Sequence, residues 1–378
     1  MRTFLFLIAL GAACASLAQP VSPPATPTPP VAAKSYLLLD YHSQQALAAQ
    51  NAGERVEPAS LTKLMTAYLT FAALKEKRIQ LAQTVPVSER AWKAEGSRMF
   101  IEPRKSVTVE ELLRGVIVQS GNDACIALAE LIAGSEETFA QAMNREAQQL
   151  GMKGTHFVNS TGLPNPQHYS TAYDLALLAS AVIRDFPEYH PLYSIKEYRY
   201  NNITQANRNR LLWSDPAVDG MKTGYTENAG YCLITSARRG ERRLISVVLG
   251  TASEAARAAE SQKLLNYGFQ FYDSVKLYEK NQPVANMQVW KGSGNSVKAG
   301  FLDDLYVSLP KGQAGKLKAS LESRQPMYAP IRAGQKIGVI KLTLDDKPYV
   351  EIPVVALETV ALAGILGRGW DSIRLLFK

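Results

Sequence analysis

Cysteine and histidine are scarce in this chain. Of its 378 residues, three are cysteine (Cys14, Cys125 and Cys232) and four are histidine (His42, His156, His168 and His190). The histidines are scattered without ligand-like spacing, so no metal centre is expected. So few cysteines cannot make a disulfide framework. Cys125 and Cys232 lie in the apolar strings Asp123-Ala124-Cys125-Ile126 and Gly230-Tyr231-Cys232-Leu233, which fits buried free thiols. The apolar runs near the two ends, Phe4 to Ala13 and Val360 to Leu366, fall well short of the roughly 20 residues that a membrane span needs. The formal net charge of +8 suits work near anionic lipid or an anionic polymer, but selects no partner by itself. No cofactor and no nucleic-acid partner is expected.

What is present is a folded chain with punctuation. Hydrophobic residues make up 46% of it, and its length exceeds what one core usually holds, so two domains are expected. Residues 1–18 combine the basic start Met1-Arg2, the apolar run and the small-x-small site Ser16-Leu17-Ala18, the pattern of a secretory signal peptide with Gln19 as the mature start. Cys14 raises a lipid-anchor alternative, which Gly11 disfavours because a branched aliphatic residue belongs there. Residues 19–32 are a proline-rich spacer. From 33 to 275, helical periodicity mixes with strand-like runs such as Ser35 to Asp40, Cys232 to Ala237 and Leu244 to Leu249, giving an α/β or α+β domain. Residues 276–356 carry short alternating runs broken by Pro310-Lys311-Gly312 and Asp345-Asp346-Lys347-Pro348, which predicts a small all-β domain acting as a pedestal. Over 357–378, Leu362, Ile365, Leu366, Trp370, Ile373 and Phe377 recur at helical spacing, which predicts an amphipathic helix lying in a membrane interface.

Three short motifs carry chemistry. Ser60 and Lys63 follow Pro58 at the start of an apolar helical run. Side chains three apart on a helix lie about 5 to 6 Å from each other, so an amine made less basic by burial could take the serine proton. A second copy of the spacing, Ser308-Leu309-Pro310-Lys311, has strand-like flanks and a proline that forbids a continuous helix. Thr108-Val109-Glu110-Glu111 reads as a capping box opening a helix that ends at Ser120-Gly121-Asn122. That turn would present a hydroxyl and an amide together, as a proton relay and a substrate donor. Ser293-Gly294-Asn295 shows how easily the pattern arises. Lys222-Thr223-Gly224 precedes a strand pair and would line a cleft, with glycine leaving room for a peptide backbone.

Each motif alone is weak; their order and contexts together are strong. The strings Pro58-Ala59-Ser60-Leu61-Thr62-Lys63-Leu64-Met65-Thr66, Gln119-Ser120-Gly121-Asn122-Asp123-Ala124-Cys125 and Val218-Asp219-Gly220-Met221-Lys222-Thr223-Gly224 resemble those of low-molecular-weight penicillin-binding proteins. The resemblance is to the D-alanyl-D-alanine carboxypeptidases of the penicillin-binding-protein-5/6 type and covers nearly everything after residue 33. It implies a penicillin-binding-protein/β-lactamase-like transpeptidase domain, a small all-β domain and a C-terminal amphipathic helix. It also implies peptidoglycan stems ending in D-Ala-D-Ala as substrate and β-lactams as covalent inhibitors. The enzyme would sit in the periplasm, peripheral on the outer face of the inner membrane. By resemblance, Ser60 is the nucleophile, Lys63 its base and Ser120 the relay to the leaving D-Ala. Asn122 contacts the substrate, and the backbone N–H groups of Ser60 and Tyr225 form the oxyanion hole. Lys222, Thr223 and Arg208 are candidates for the terminal carboxylate, which arginine pairs bidentately. Tyr225 departs from the histidine of the best-known relatives, which bears on pH dependence and acyl-enzyme lifetime.

Three alternatives stay open. A class A β-lactamase needs a glutamate after Ser-x-Asn to activate deacylating water, and none stands between Glu146 and Glu188. A D,D-endopeptidase on cross-bridges would use the same chemistry. A non-catalytic wall-binding protein would have no need of both halves of the Ser60/Lys63 pair.

Overall fold

The structure, a computed structural model, describes residues 27–364 and 370–371. The expected signal peptide lies outside the described residues, as do most of the spacer and most of the expected terminal helix. The chain packs slightly earlier than the sequence suggests: Val31 lies on a hydrophobic cluster, and Lys263 Nζ donates to the Pro30 carbonyl at 2.7 Å.

The first domain is a five-stranded antiparallel sheet of β1 (Ser35–Asp40), β2 (Ala46–Gln50), β3 (Val218–Thr226), β4 (Gly230–Arg239) and β5 (Arg242–Thr251), in the order β2-β1-β5-β4-β3. Both of its faces are covered, which explains why β1 is buried throughout, with the apolar run Tyr36 to Leu39 between Ser35 and Asp40. Leu37 and Leu39 face a helical layer, and Tyr36 and Leu38 the opposite one. The helical layer contains α1 (Lys63–Lys75), α2 (Asn122–Ala133) and α3 (Ala172–Asp185), while α4 (Glu254–Phe271) covers the other face. Leu64, Met65, Ala67 and Phe71 have no exposed surface, so α1 runs through the centre of the domain. The strand β3 is an edge, and its free side opens onto the start of α1.

The second domain is all-β, as expected. The strands β6 (Tyr272–Tyr278) and β9 (Leu305–Pro310) pair with each other. A six-stranded sheet follows the order β10-β12-β13-β8-β7-β11, from β7 (Pro283–Trp290), β8 (Ser296–Gly300), β10 (Leu317–Glu322), β11 (Met327–Tyr328), β12 (Lys336–Leu344) and β13 (Lys347–Ala356). Both sheets contribute to one core around Val297, Leu309, Ile331 and Val354. The domains meet through polar contacts: Ser308 Oγ lies 2.7 Å from Ser43 Oγ, and the Ser308 N–H donates to Gln45 Oε1 at 2.6 Å.

The stretch Leu357 to Gly364, expected to begin a helix, is extended instead. Val360 bridges Ile331 through hydrogen bonds of 2.9 Å in both directions, and Leu362 bridges Gly292. Burying Val360 in the β core outweighs a helical tendency that Gly364, Gly367 and Gly369 already weaken. Among the described residues no helix is long and apolar enough to cross a membrane.

Candidate active site

Ser60 lies on a single 3-10 turn, Ala59–Thr62, that runs into α1 at Lys63. The turn is tightly specified. Ala59 takes a left-handed φ of 47°. A side chain on Gly162 would come within 1.8 Å of the Ala59 carbonyl, so only glycine lets the 155–171 loop lie against the nucleophile turn.

Lys63 is 1% exposed, and its Nζ reaches three oxygens: Ser60 Oγ at 3.0 Å, Asn122 Oδ1 at 2.6 Å and the Thr161 carbonyl at 2.5 Å. The last two can only accept. They therefore occupy two N–H groups and leave the third position of the nitrogen for the serine. Burial pulls the Lys63 amine down to about 8, partly opposed by the nearby Cys125 thiol and reinforced by the positive charge of Arg208. A neutral amine is thus accessible near neutrality, with its lone pair directed at Ser60.

The capping box at Thr108 and Glu111 is present and opens a helix over Val109–Arg114. It does not continue as an α-helix to the Ser-x-Asn turn: Gly115–Gln119 widen into a π-turn that Ser120 ends at a left-handed φ of 59°. Lys222 Nζ donates to Ser120 Oγ at 2.9 Å. That leaves the Ser120 O–H free to donate elsewhere. Asn122, first residue of α2, donates through Nδ2 to the Glu95 carbonyl at 2.6 Å. Lys222 is buried, and burial together with the Lys63 and Arg208 charges pushes its amine well below the ordinary lysine range.

Thr223, Gly224 and Tyr225 on β3 line one side of a cleft of about 550 Å³, and Ser60, Ser120 and Asn122 line the other. Gly224 serves a purpose different from the one its motif suggests. Its bare face lies on Pro58, Ala59 and Leu61, where a Cβ would approach the Pro58 carbonyl to 3.1 Å, so glycine seats the strand against the nucleophile turn. Arg208 also lines the cleft. Its neighbours Asn207 and Asn209 are buried and fix the loop, Asn209 Nδ2 donating to the Gly220 carbonyl of β3 at 3.0 Å. All nine residues singled out from the sequence thus fall in or directly behind one cleft.

This constellation can be compared with known proteins. The described family profile "D-alanyl-D-alanine carboxypeptidase" matches residues 21–253, and "Penicillin-binding protein 5, C-terminal domain" matches residues 272–362. The D-alanyl-D-alanine carboxypeptidase DacC of Escherichia coli is 43% identical, over 99% of this chain and 94% of its own. The chain belongs to the D-alanyl-D-alanine carboxypeptidase family. The fold agrees: penicillin-binding protein 5 from Haemophilus influenzae superposes with a TM-score of 0.84 at 41% identity, covering 89% of this chain and 99% of that one. A family-like structure, penicillin-binding protein D2 from Listeria monocytogenes in its ampicillin-bound form, has a TM-score of 0.60 at 31% identity, covering 65% and 100%.

Four residues that line or support this carboxypeptidase cleft were given no role by the sequence motifs. Thr161 contributes a backbone carbonyl, which no side-chain pattern encodes. Arg257 on α4 is 3% exposed and donates to the carbonyls of Gly224 at 3.4 Å and Arg208 at 3.3 Å, at one end of the cleft. A lone arginine among Ala255, Ala256, Ala258 and Ala259 was the available signal. Asp123 accepts from the backbone N–H groups of Met99, Phe100 and Ile101 at 3.0, 2.8 and 3.2 Å and so pins the loop over the cleft. His168 ties the 155–171 loop to the nucleophile turn. The Val158 N–H donates to its Nδ1 at 3.2 Å, so the neutral ring carries its proton on Nε2, which donates to Thr62 Oγ1 at 2.8 Å. Among the described residues, Cys125 and Cys232 are buried and free. Among the described residues no cluster of His, Cys, Asp or Glu could hold a metal ion.

Proposed function

We propose that this chain is a serine-type D-Ala-D-Ala carboxypeptidase, which removes the terminal D-Ala from peptidoglycan pentapeptide stems through an acyl-enzyme on Ser60 and is acylated there by β-lactams. The observation that carries the assignment is the Lys63 amine, held by Asn122 and Thr161 with one position left for Ser60.

Ser60 Oγ attacks the carbonyl carbon of the penultimate D-Ala while its proton passes to Lys63 Nζ. The carbonyl oxygen becomes an oxyanion, stabilised by the backbone N–H groups of Ser60 and Tyr225. Collapse breaks the C–N bond. The leaving nitrogen takes a proton from Ser120, whose oxygen is polarised by Lys222 and which is reprotonated from the Lys63 side. D-Ala departs, and water attacks the ester, giving its proton to Lys63 and restoring Ser60. Lys222, Thr223, Arg208 and Arg257 surround the place for the substrate carboxylate. The absence of a glutamate between Glu146 and Glu188 removes the class A route to rapid deacylation, so a penicilloyl adduct should persist. The enzyme is exported by the 1–18 segment to the periplasm and held at the outer face of the inner membrane by the end of the chain.

The test is mass spectrometry after incubation with benzylpenicillin and, separately, with a diacyl-D-Ala-D-Ala peptide. A lasting adduct on Ser60 with release of D-Ala, both lost in Ser60→Ala, is the expected result. Folded protein giving neither would overturn the assignment.

A further inference from the structure

The cleft continues past the nucleophile to an end that the three motifs do not account for. Tyr225 and Tyr231 face each other across β3 and β4, with ring centroids 4.3 Å apart and planes inclined by 34°. Both line the cleft, together with Arg208, Glu254 and Arg257. Tyr231 is backed by Arg257, whose guanidinium carbon lies 5.6 Å from its ring centroid. That guanidinium is itself fixed, by the Gly224 and Arg208 carbonyls and by Glu254 at 3.6 Å. The pair is therefore a ring on a held ring rather than two independent surface tyrosines.

Its position decides what it meets. In the carboxypeptidase reaction, on which this inference rests, the only free carboxylate at the scissile end belongs to the leaving residue. The cations at this end of the cleft are Arg208 and Arg257, so the leaving residue lies between them and Ser60. Side chains two apart on a strand share a face, so Tyr225 projects on the same face as Thr223. The face of Gly224 is the opposite one, closed by Pro58 and Leu61. The α-carbon of the leaving residue then stands beside the tyrosine pair.

We propose that Tyr225, stacked on Tyr231, forms the side-chain subsite of the leaving residue and restricts it to small D-amino acids. A methyl group fits beside the ring, and a longer side chain meets it. A cross-bridge, whose leaving residue carries a second stem, is excluded by the same wall, which favours terminal trimming over cross-bridge cleavage. A single methylene in such a pocket changes selectivity about 10- to 200-fold, which sets the scale for removing a ring.

The experiment compares kcat/KM for diacyl-D-Ala-X peptides with X as Gly, D-Ala or D-Leu, using the full chain. Because glycine presents no side chain to the wall, the D-Leu to Gly ratio reads the subsite independently of any general loss. Tyr225→Ala should raise that ratio at least tenfold, and Tyr225→Phe, which keeps the ring, should leave it as in the parent. Tyr225→Ser removes the ring likewise should the alanine variant fold poorly. An unchanged ratio in folded Tyr225→Ala or Tyr225→Ser would overturn the subsite while leaving the carboxypeptidase intact. Folded parent protein releasing no amino acid from any of the three peptides would remove the carboxypeptidase assignment and the subsite with it.

Discussion

Two Ser-x-x-Lys sequences in this chain meet opposite fates. Ser60 and Lys63 straddle a 3-10 turn and the first residue of a buried helix, and their polar atoms are 3.0 Å apart. Ser308 and Lys311 leave the end of β9 through Pro310, and their side chains part. Ser308 turns inward to bond Ser43 and supplies its N–H to Gln45 and its carbonyl to the Tyr349 hydroxyl at 2.7 Å, while Lys311 is exposed. The same spacing thus makes a nucleophile pair in one place and a domain hinge pin in the other. Spacing supplies proximity only on a helix; burial supplies the chemistry, because an exposed lysine remains a cation that cannot take a proton.

The sharpest way to break this comparison is to remove each amine. Lys63→Met should lower kcat/KM for a diacyl-D-Ala-D-Ala peptide by about 10³-fold, within the range of a lost general base. Thermal stability should fall modestly, since methionine spares the desolvation of an amine but leaves the buried Asn122 Oδ1 and Thr161 carbonyl without their donor. Lys311→Met should change neither. Retention of more than a tenth of the activity by Lys63→Met would take the base role away from it. A gentler probe leaves the amine in place. With Lys63 lowered to about 8, the neutral form gains tenfold for each pH unit up to that value. kcat/KM should climb accordingly and flatten above about pH 8; a profile flat from pH 6 to 9 would contradict a lysine base.

Acid sensitivity should also separate the two regions. His168 is buried behind the nucleophile turn, and burial pushes it down to about 4 from the ordinary 6.5. Between those values the unfolded chain binds a proton that the folded one refuses. Stability is therefore full above about pH 6.5 and falls as pH drops towards 4, by roughly 3 kcal/mol in all. Urea titrations at pH 7 and pH 4.5 should show the loss, and His168→Gln should reduce it. Equal losses in parent and variant would place the acid-sensitive group elsewhere.

The sequence made the cleft legible wherever a side chain does the work and a motif fixes its context. Ser60, Lys63, Ser120, Asn122 and Lys222 were found because their types and neighbours are chemically unusual together. Thr161 was illegible because its contribution is a carbonyl, and Arg257 because it reaches the cleft from α4, far along the chain from Lys222. The all-β character of the second domain could be read from alternation. Its end could not: Leu357 to Gly364 carry apolar residues that satisfy helical spacing, and only the partners Ile331 and Gly292 decide for an extended chain. Gly224 illustrates a subtler failure, since the need for a missing side chain was legible but the surface pressing on it was not.

The smallest expected effect tests the hinge-pin half of the comparison. Ser308→Ala deletes one hydroxyl from the junction, leaving its N–H on Gln45 and its carbonyl on Tyr349. The partner Ser43 is part-buried, so the lost bond should cost about 1 kcal/mol. That loss should appear in urea unfolding with kcat/KM unchanged within twofold, because none of Ser43, Gln45, Ser308 and Tyr349 lines the cleft that carries Ser60. A variant with parental stability but reduced activity would invert the assignment, making the second Ser-x-x-Lys a participant in catalysis and the division of labour between the two domains untenable.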